Sequence, residues 1–443
     1  MRIHEAVVTP VAVPDPPLLN AVGAHQPWAL RAIIELRCDD GLVGLGETYG
    51  DEPHLRLLRR VAPTLTGLDP FDTNGLLRRV RTALGDADAP DRHGLTGGSS
   101  PQKTTLRVLS PFEVACLDLQ GRLIGRPVVD LLGGRVRDRV PYSAYLFHKW
   151  AAHPEPDLHP DPGLHPDPDL HPARRGPVPR RAADPYGEAL DAEGIVAQAR
   201  QMIDRYGFRS IKLKGGVLPP EREIDAIRAL RAAFPDHPLR LDPNAAWTVP
   251  TSIRVAAETE GLLEYLEDPT PGLAGMAEVA RNAPMPLATN MVVVSPDDIP
   301  EAFGTRAVGV VLADHHYWGG LRRSAELAAI CRTWGIGVSM HSNSHLGISL
   351  AAMTHLGAAL PELTCAADTH TPWQCGEDVL DEPLPITDGS VLVPTAPGLG
   401  VRLDRDALAR LHENYLRCGI RERDDTSYIR LFDPAYRMRR PRW

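Results

Sequence analysis

Between residues 142 and 370 the chain repeats one pattern: a short apolar run that closes on a polar residue, then a longer stretch with helical periodicity. The runs fall at 142–145, 210–214, 239–242, 263–267, 286–290, 308–314, 337–341 and 365–370. From the second to the eighth they lie roughly two to three dozen residues apart, room for one helix each, and residues 221–230 carry apolar side chains at helical spacing. Eight strand candidates alternating with helices predict a closed parallel barrel of the TIM type. Barrel chemistry gathers at the strand ends, and here those ends read Lys214, Asp242, Glu267, Asn290, Asp314 and His341 in succession.

The flanks follow other rules. Residues 31–38 and 42–48 read as two strands around an Asp39-Asp40-Gly41 turn, and Ser110-Pro111-Phe112-Glu113 reads as a capped helix start. Beyond the barrel, 388–393 and 397–403 read as a hairpin, followed by a helix over 406–418. The expected organisation is an α/β chain in three parts: an N-terminal α+β module over 1–137, a barrel over 138–385, and a segment over 386–443 that returns to the module. Within the barrel part, residues of about 151–181 carry an imperfect six-residue Leu-His-Pro repeat. Proline at this density excludes helix or interior strand, so the stretch reads as a polyproline-like, partly disordered surface insertion rather than a metal site built from His153, His159, His165 and His171.

Composition narrows the partners. A chain of 443 residues with a formal net charge of −9 does not suit a polyanionic nucleic acid, and no apolar run approaches the ~20 residues of a membrane span. The N-terminus lacks a secretory apolar core, and the six cysteines show no zinc-like spacing, so the expectation is a soluble cytoplasmic protein with free thiols.

The candidate chemistry lies on the strand ends. Lys212 and Lys214 share one face of their strand, and two neighbouring ammonium groups disfavour protonation, which would make one of them a base near neutral pH. Taken alone, a solvated basic strand is the commoner reading. Asp242, Glu267 and Asn290 end three successive strands and offer two carboxylates and an amide oxygen, a donor set for a hard divalent cation such as Mg2+. Taken singly they read as a helix cap, an ion pair and a turn residue. Asp314 and His341 end the next two strands, where a carboxylate can fix the imidazole tautomer, although His315 and His316 compete for it. A lysine, a histidine and a cation between them suit proton abstraction beside a carboxylate. A Schiff-base lyase using either lysine would be trapped by borohydride and indifferent to EDTA, but it leaves the oxygen donors without a role. A non-catalytic barrel would be expected to lose a base, and none is lost.

The stretches Lys212-Leu-Lys214-Gly-Gly, Leu241-Asp-Pro-Asn-Ala-Ala-Trp247, Glu267-Asp-Pro269, Ala288-Thr-Asn-Met291, Leu312-Ala-Asp314, His341-Ser-Asn343 and Asp368-Thr-His370 resemble the glucarate dehydratase family of the enolase superfamily. Gly23-Ala-His25 resembles its mobile substrate loop, Tyr145-Leu-Phe its first barrel strand, and Arg423-Asp-Asp425 its C-terminal substrate arginine. The resemblance implies a modified (β/α)7β TIM barrel with an N-terminal α+β capping domain, Mg2+ as cofactor, a homo-oligomer, and dehydration of a six-carbon diacid sugar to a keto-deoxy product. It implies Lys214 and His341 as bases on opposite faces, with Asp314 supporting His341. Lys212, Asn244, Asn343 and His370 would contact substrate, and His25, Tyr145 and Arg423 would close the pocket. An epimerase or a dehydratase for another acid sugar would use the same groups. One departure stands out: the loop 270–277 lacks the carboxylate that family members can place there, so Glu267 itself is assigned as the second metal ligand. The family's capping-domain threonine has four candidates in Ser99, Ser100, Thr104 and Thr105.

Overall fold

In the computed structural model, residues 2–89, 98–154, 185–374 and 376–443 are described. Seven parallel strands form the barrel, neighbours in space as in sequence: Ala144–Phe147, Ile211–Lys214, Leu239–Asp242, Tyr265–Glu267, Leu287–Thr289, Val310–Leu312 and Gly337–Ser339. The eighth run does not extend into a regular strand, yet it closes the ring. Ala367 N donates to Pro141 O, Ser143 N to Ala367 O and Asp368 N to Met340 O, each at 2.9 Å, so this segment bridges the residues just before the first strand and just after the last. Helices between Ala192–Tyr206 and Gly347–Ala359 cover the outside, which makes the architecture (β/α)7β. The first strand starts two residues later than expected. A shift of two preserves the alternation of faces, so Tyr145 still lies opposite Lys212 on the next strand.

The N-terminal sheet is antiparallel, in the order Ile3–Pro14, Trp28–Cys38, Val43–Tyr49, with the expected turn at Gly41. The helix expected to begin at Ser110 instead runs Pro101–Ile124, capped by Ser100, whose Oγ accepts from Lys103 N at 3.1 Å. Ser110 and Glu113 therefore cap nothing in their own helix. Ser110 Oγ donates to His315 O (2.8 Å), and Glu113 accepts from Leu321 N (2.9 Å) and Arg322 N (3.3 Å), the open first turn of barrel helix Leu321–Trp334. That helix is preceded by Gly320, which has no side chain to cap it, and the partner comes from across the molecule. Pro111 costs its helix one bond without ending it, because packing on both flanks holds the backbone. A Cβ at Gly46 would fall 2.1 Å from Pro111 O.

The C-terminal hairpin is also displaced. It turns at Asp388–Gly389 between Ile386–Thr387 and Ser390–Leu392, and the latter pairs with Arg139–Pro141. Residues 397–403 form no regular strand but two isolated bridges, Gly398 with Pro127 and Leu403 with Leu380, and between them Leu399 N donates to Asp118 Oδ1 of the long helix (2.7 Å). Helix Arg405–Arg417, capped by Asp404, lies on the first strand, with His412 Nδ1 2.7 Å from Pro10 O. Among the described residues no helix is long and apolar enough to cross a membrane. Most of the proline-rich stretch, with His159, His165 and His171, and also Cys375, lie outside the described residues. His153 is described, and its ring is engaged by the Tyr428 hydroxyl (2.7 Å) and Asp15 O (2.6 Å). The other five cysteines are free, four of them buried.

Candidate active site

Asp242, Glu267 and Asn290 are all buried at the C-terminal ends of three adjacent strands. The amide oxygen of Asn290 lies 3.2 Å from Glu267 Oε1 and 3.0 Å from Asp268 Oδ2, while its nitrogen lies 3.2 Å from His341 Nε2. Turned by half a rotation, the amide would donate to both carboxylates, as a site with no need of a cation would prefer. The oxygen-inward arrangement is the one that gathers ligands. Octahedral magnesium, with bonds of 2.0–2.1 Å, sets neighbouring oxygens about 3 Å apart, so the separation of Asn290 from Glu267 and the oxygen chemistry of the three residues fit a hard divalent cation. Whichever way the amide is turned, it meets His341 Nε2 at 3.2 Å.

Asp268, next to Glu267, escaped the reading of the sequence. Its backbone adopts φ 37°, and its Oδ1 accepts from Thr289 Oγ1 (2.6 Å) and its Oδ2 from Asn290 N (2.8 Å). Burial pushes its carboxyl up to about 7. It anchors the backbone from which Asn290 projects, and its only signal in the sequence was its place beside a ligand candidate.

Lys212 is ringed by carboxylates. Its Nζ lies 2.6 Å from Glu267 Oε2, 2.7 Å from Asp368 Oδ2 and 3.4 Å from Asp242 Oδ2, and 4.6 Å above the Tyr145 ring. Burial alone would lower its pKa, but the surrounding carboxylates outweigh burial and the neighbouring lysine, and hold it well above the ordinary value. Lys212 is therefore a locked cation. Lys214, one pleat nearer the mouth, donates to Asp242 Oδ2 (2.7 Å) and Asn244 Oδ1 (3.1 Å). Against the penalty of burial, Lys214 and Lys212 draw Asp242 down to about 2, whereas burial and the charge of Asp242 hold Glu267 well above the carboxylate range.

Across the mouth, Asp314 Oδ2 lies 3.1 Å from His341 Nδ1, the pairing anticipated from their strand ends. Asp314 is not the last residue of its strand, however. It caps the short helix His315–Trp318 and is shared with His316, whose Nδ1 lies 2.7 Å from Oδ1. Burial opposes ionisation of Asp314, but the two imidazoles outweigh it and keep the carboxyl well below its usual range.

The pocket-closing candidates converge. His25 Nδ1 faces Asp15 Oδ2 (2.9 Å) and its Nε2 faces Arg423 Nη2 (2.7 Å), and Arg423 Nη1 reaches Asn343 Oδ1 (3.3 Å). Arg423 is further held by Asp425, which also accepts from Asn20 Nδ2 (2.7 Å), so the charge run near residue 423 is not a solvated face. His370 packs edge-on against Tyr145, ring centres 5.1 Å apart, and Tyr145 OH lies 3.4 Å from Asp242 Oδ2. Asn244, with φ 55°, turns its side chain to Lys214. Asp15 and Asn20 were not foreseen, and Asp368 and Asp425 entered only as motif residues with no role of their own. Of the hydroxyl candidates, Ser100 caps its helix and Thr104 Oγ1 accepts from Ala89 N (3.1 Å).

Residues 3–133 match the mandelate racemase / muconate lactonizing enzyme N-terminal domain, and residues 194–407 match the enolase C-terminal domain-like family. The chain is 52% identical over 450 residues to a probable glucarate dehydratase of Streptomyces coelicolor, spanning 100% of this chain and 99% of the relative. A crystal structure of an enolase from Thermobispora bispora complexed with magnesium and formate superposes with a TM-score of 0.93 at 60% identity, covering 100% of both chains. An enolase from Pseudomonas fluorescens with bound magnesium, potassium and tartrate superposes with a TM-score of 0.90 at 50% identity, covering 100% of this chain and 99% of the other.

Proposed function

The chain belongs to the enolase superfamily, in its mandelate racemase / muconate lactonizing enzyme branch, and from that premise we propose that it is a Mg2+-dependent hydro-lyase that dehydrates a glucarate-like six-carbon diacid sugar. One observation carries the assignment. Lys214 Nζ contacts Asp242 and the Asn290 amide faces His341 Nε2, so an amine and an imidazole stand at opposite ends of one oxygen cluster built from three consecutive strands. Asp242, Glu267 and Asn290 would hold the cation, which supplies Lewis-acid stabilisation of the charge that develops on the substrate carboxylate.

The remaining work falls to side chains. Lys214 or His341, according to the configuration of the α-carbon, takes the proton beside the carboxylate. Where His341 has taken the proton it returns it to the departing β-hydroxyl, which leaves as water; where Lys214 has taken it, the imidazolium form of His341 donates the proton instead. Asp314 on Nδ1 keeps the reactive lone pair on Nε2. Lys212, locked as a cation, contributes fixed positive charge near the substrate carboxylate. His25, Asn343 and Arg423 close over the polyol with His370 and Tyr145 below.

The test is incubation of the purified chain with D-glucarate and Mg2+ in D2O. The expected result is keto-acid formation with one solvent deuterium on the methylene carbon beside the new carbonyl, and deuterium at the α-carbon of recovered substrate, both abolished by EDTA. Absence of product and of exchange with any diacid sugar would sink the proposal, and an epimer formed without keto acid would replace it with epimerisation.

A further inference from the structure

His341 does not have Asp314 to itself. Asp314 Oδ1 accepts from the His316 backbone N–H (2.9 Å) and faces His316 Nδ1 (2.7 Å), while Oδ2 faces His341 Nδ1 (3.1 Å) and accepts from the Tyr49 hydroxyl (3.3 Å). The far nitrogen of His316 lies 3.2 Å from Arg31 Nη2 and 2.9 Å from Ser349 Oγ. A guanidinium can only donate, so the nitrogen that meets it must present a lone pair, and the imidazole proton then sits on Nδ1, pointing at Asp314. Arg31 is itself immobilised, with Nε donating to Glu47 Oε1 at 2.8 Å, and Glu47 accepts from Leu346 N (2.7 Å) and Ser349 N (2.8 Å) of the barrel. All of these side chains are buried except the backbone donor at Leu346, whose residue is buried as well. Arg31, Glu47 and Tyr49 belong to the N-terminal sheet, and Asp314 and His341 to the barrel.

We propose that His316 is a positioning residue for one of the two proton-transfer faces: Arg31 fixes its tautomer, and its Nδ1–H holds the Asp314 carboxylate in the orientation that aims His341 at substrate. The N-terminal sheet thus reaches the imidazole side of the site through a chain of hydrogen bonds. Asp314, His315 and His316 can bring one ligand atom each within 4.8 Å of one another, but both carboxylate oxygens and both His316 nitrogens already have partners, which argues for a positioning device over a second metal site. The inference rests on the assignment of Lys214 and His341 to opposite faces of the substrate.

The experiment measures α-proton exchange in D2O with Mg2+, by proton NMR, for D-glucarate and for its epimer at the carbon beside the same carboxylate. K214A and H341N serve as controls, each expected to abolish exchange for one epimer only. If they do not, the two-face reading falls and this inference with it. If they do, H316L is expected to slow the His341-dependent epimer by about ten- to hundredfold, as for a misplaced catalytic group, and to leave the Lys214-dependent epimer unchanged. H316N, whose amide can still donate to Asp314, should restore most of the rate. Equal slowing of both epimers, or no slowing, overturns the role of His316 while leaving the function intact. A measurement that needs no variant runs beside it: long-range proton–nitrogen correlation of histidine-labelled wild-type protein should place the His316 proton on Nδ1, and a proton on Nε2 overturns the proposal.

Discussion

Replacing Gly23 by alanine tests whether the loop carrying His25 closes as the structure places it. Gly23 has φ 151°, a conformation that side chains rarely adopt, and a Cβ built there would lie 2.2 Å from Asp425 O. That is about 1 Å short of an ordinary carbon–oxygen contact, so the loop and the segment after Arg423 must separate. The separation acts on Asn20–Asp425 (2.7 Å), Thr426 Oγ1–Val22 O (2.6 Å) and His25–Arg423 (2.7 Å) together. Backbone strain of this kind costs about 1–3 kcal/mol, which corresponds to roughly five- to 150-fold in kcat/KM if closure is required for turnover. The loop can relieve the clash by opening, so the melting temperature should fall by no more than about 3 °C. Steady-state kinetics on D-glucarate at saturating Mg2+, with thermal unfolding alongside, would read both quantities. A G23A enzyme within about threefold of wild type in kcat/KM would show that this contact does not gate the pocket, and the placement of His25 and Arg423 over the substrate would have to be abandoned.

Mg2+ added to metal-free protein should raise its stability by about 2.7 kcal/mol at a hundredfold excess over the dissociation constant, and D242N should lose that response; an equal response in D242N would move the cation elsewhere. E113A leaves the buried N–H groups of Leu321 and Arg322 without their acceptor and should cost about 2–4 kcal/mol in urea unfolding at pH 8, so an unchanged midpoint would refute the cross-domain cap. Burial pushes the Glu223 carboxyl up to about 7, against about 4.3 when unfolded, so between those values the native state holds a proton that the unfolded state has released, and stability falls as pH rises. E223Q has no such proton, and its melting temperature relative to wild type should therefore improve from pH 5 to pH 8; a constant difference would contradict the shift.

The barrel was legible in the chain because its determinants are local. Alternation of faces, helical periodicity and the polar residue closing each run depend on neighbours within one element, and they were enough to bring Lys214, Asp242, Glu267, Asn290, Asp314 and His341 to one rim. The errors fell where a local signal had a distant purpose. Ser110 and Glu113 carry the signature of a helix cap but bond to two barrel helices some two hundred positions away, and residues 397–403 look like a strand but pair only at isolated bridges to Pro127 and Leu380, with Leu399 N donating to Asp118. The partners of Lys212 were illegible for the same reason. Its neighbour in sequence is a like charge, whereas its neighbours in space are Glu267, Asp368 and Asp242. Periodicity decides which face a side chain takes, while the partner of a buried polar group is decided by which remote segment packs within about 3 Å of it. The sharing of Asp314 between two imidazoles and the anchoring of His316 by Arg31 belong to that second kind, and only the tertiary structure could decide them.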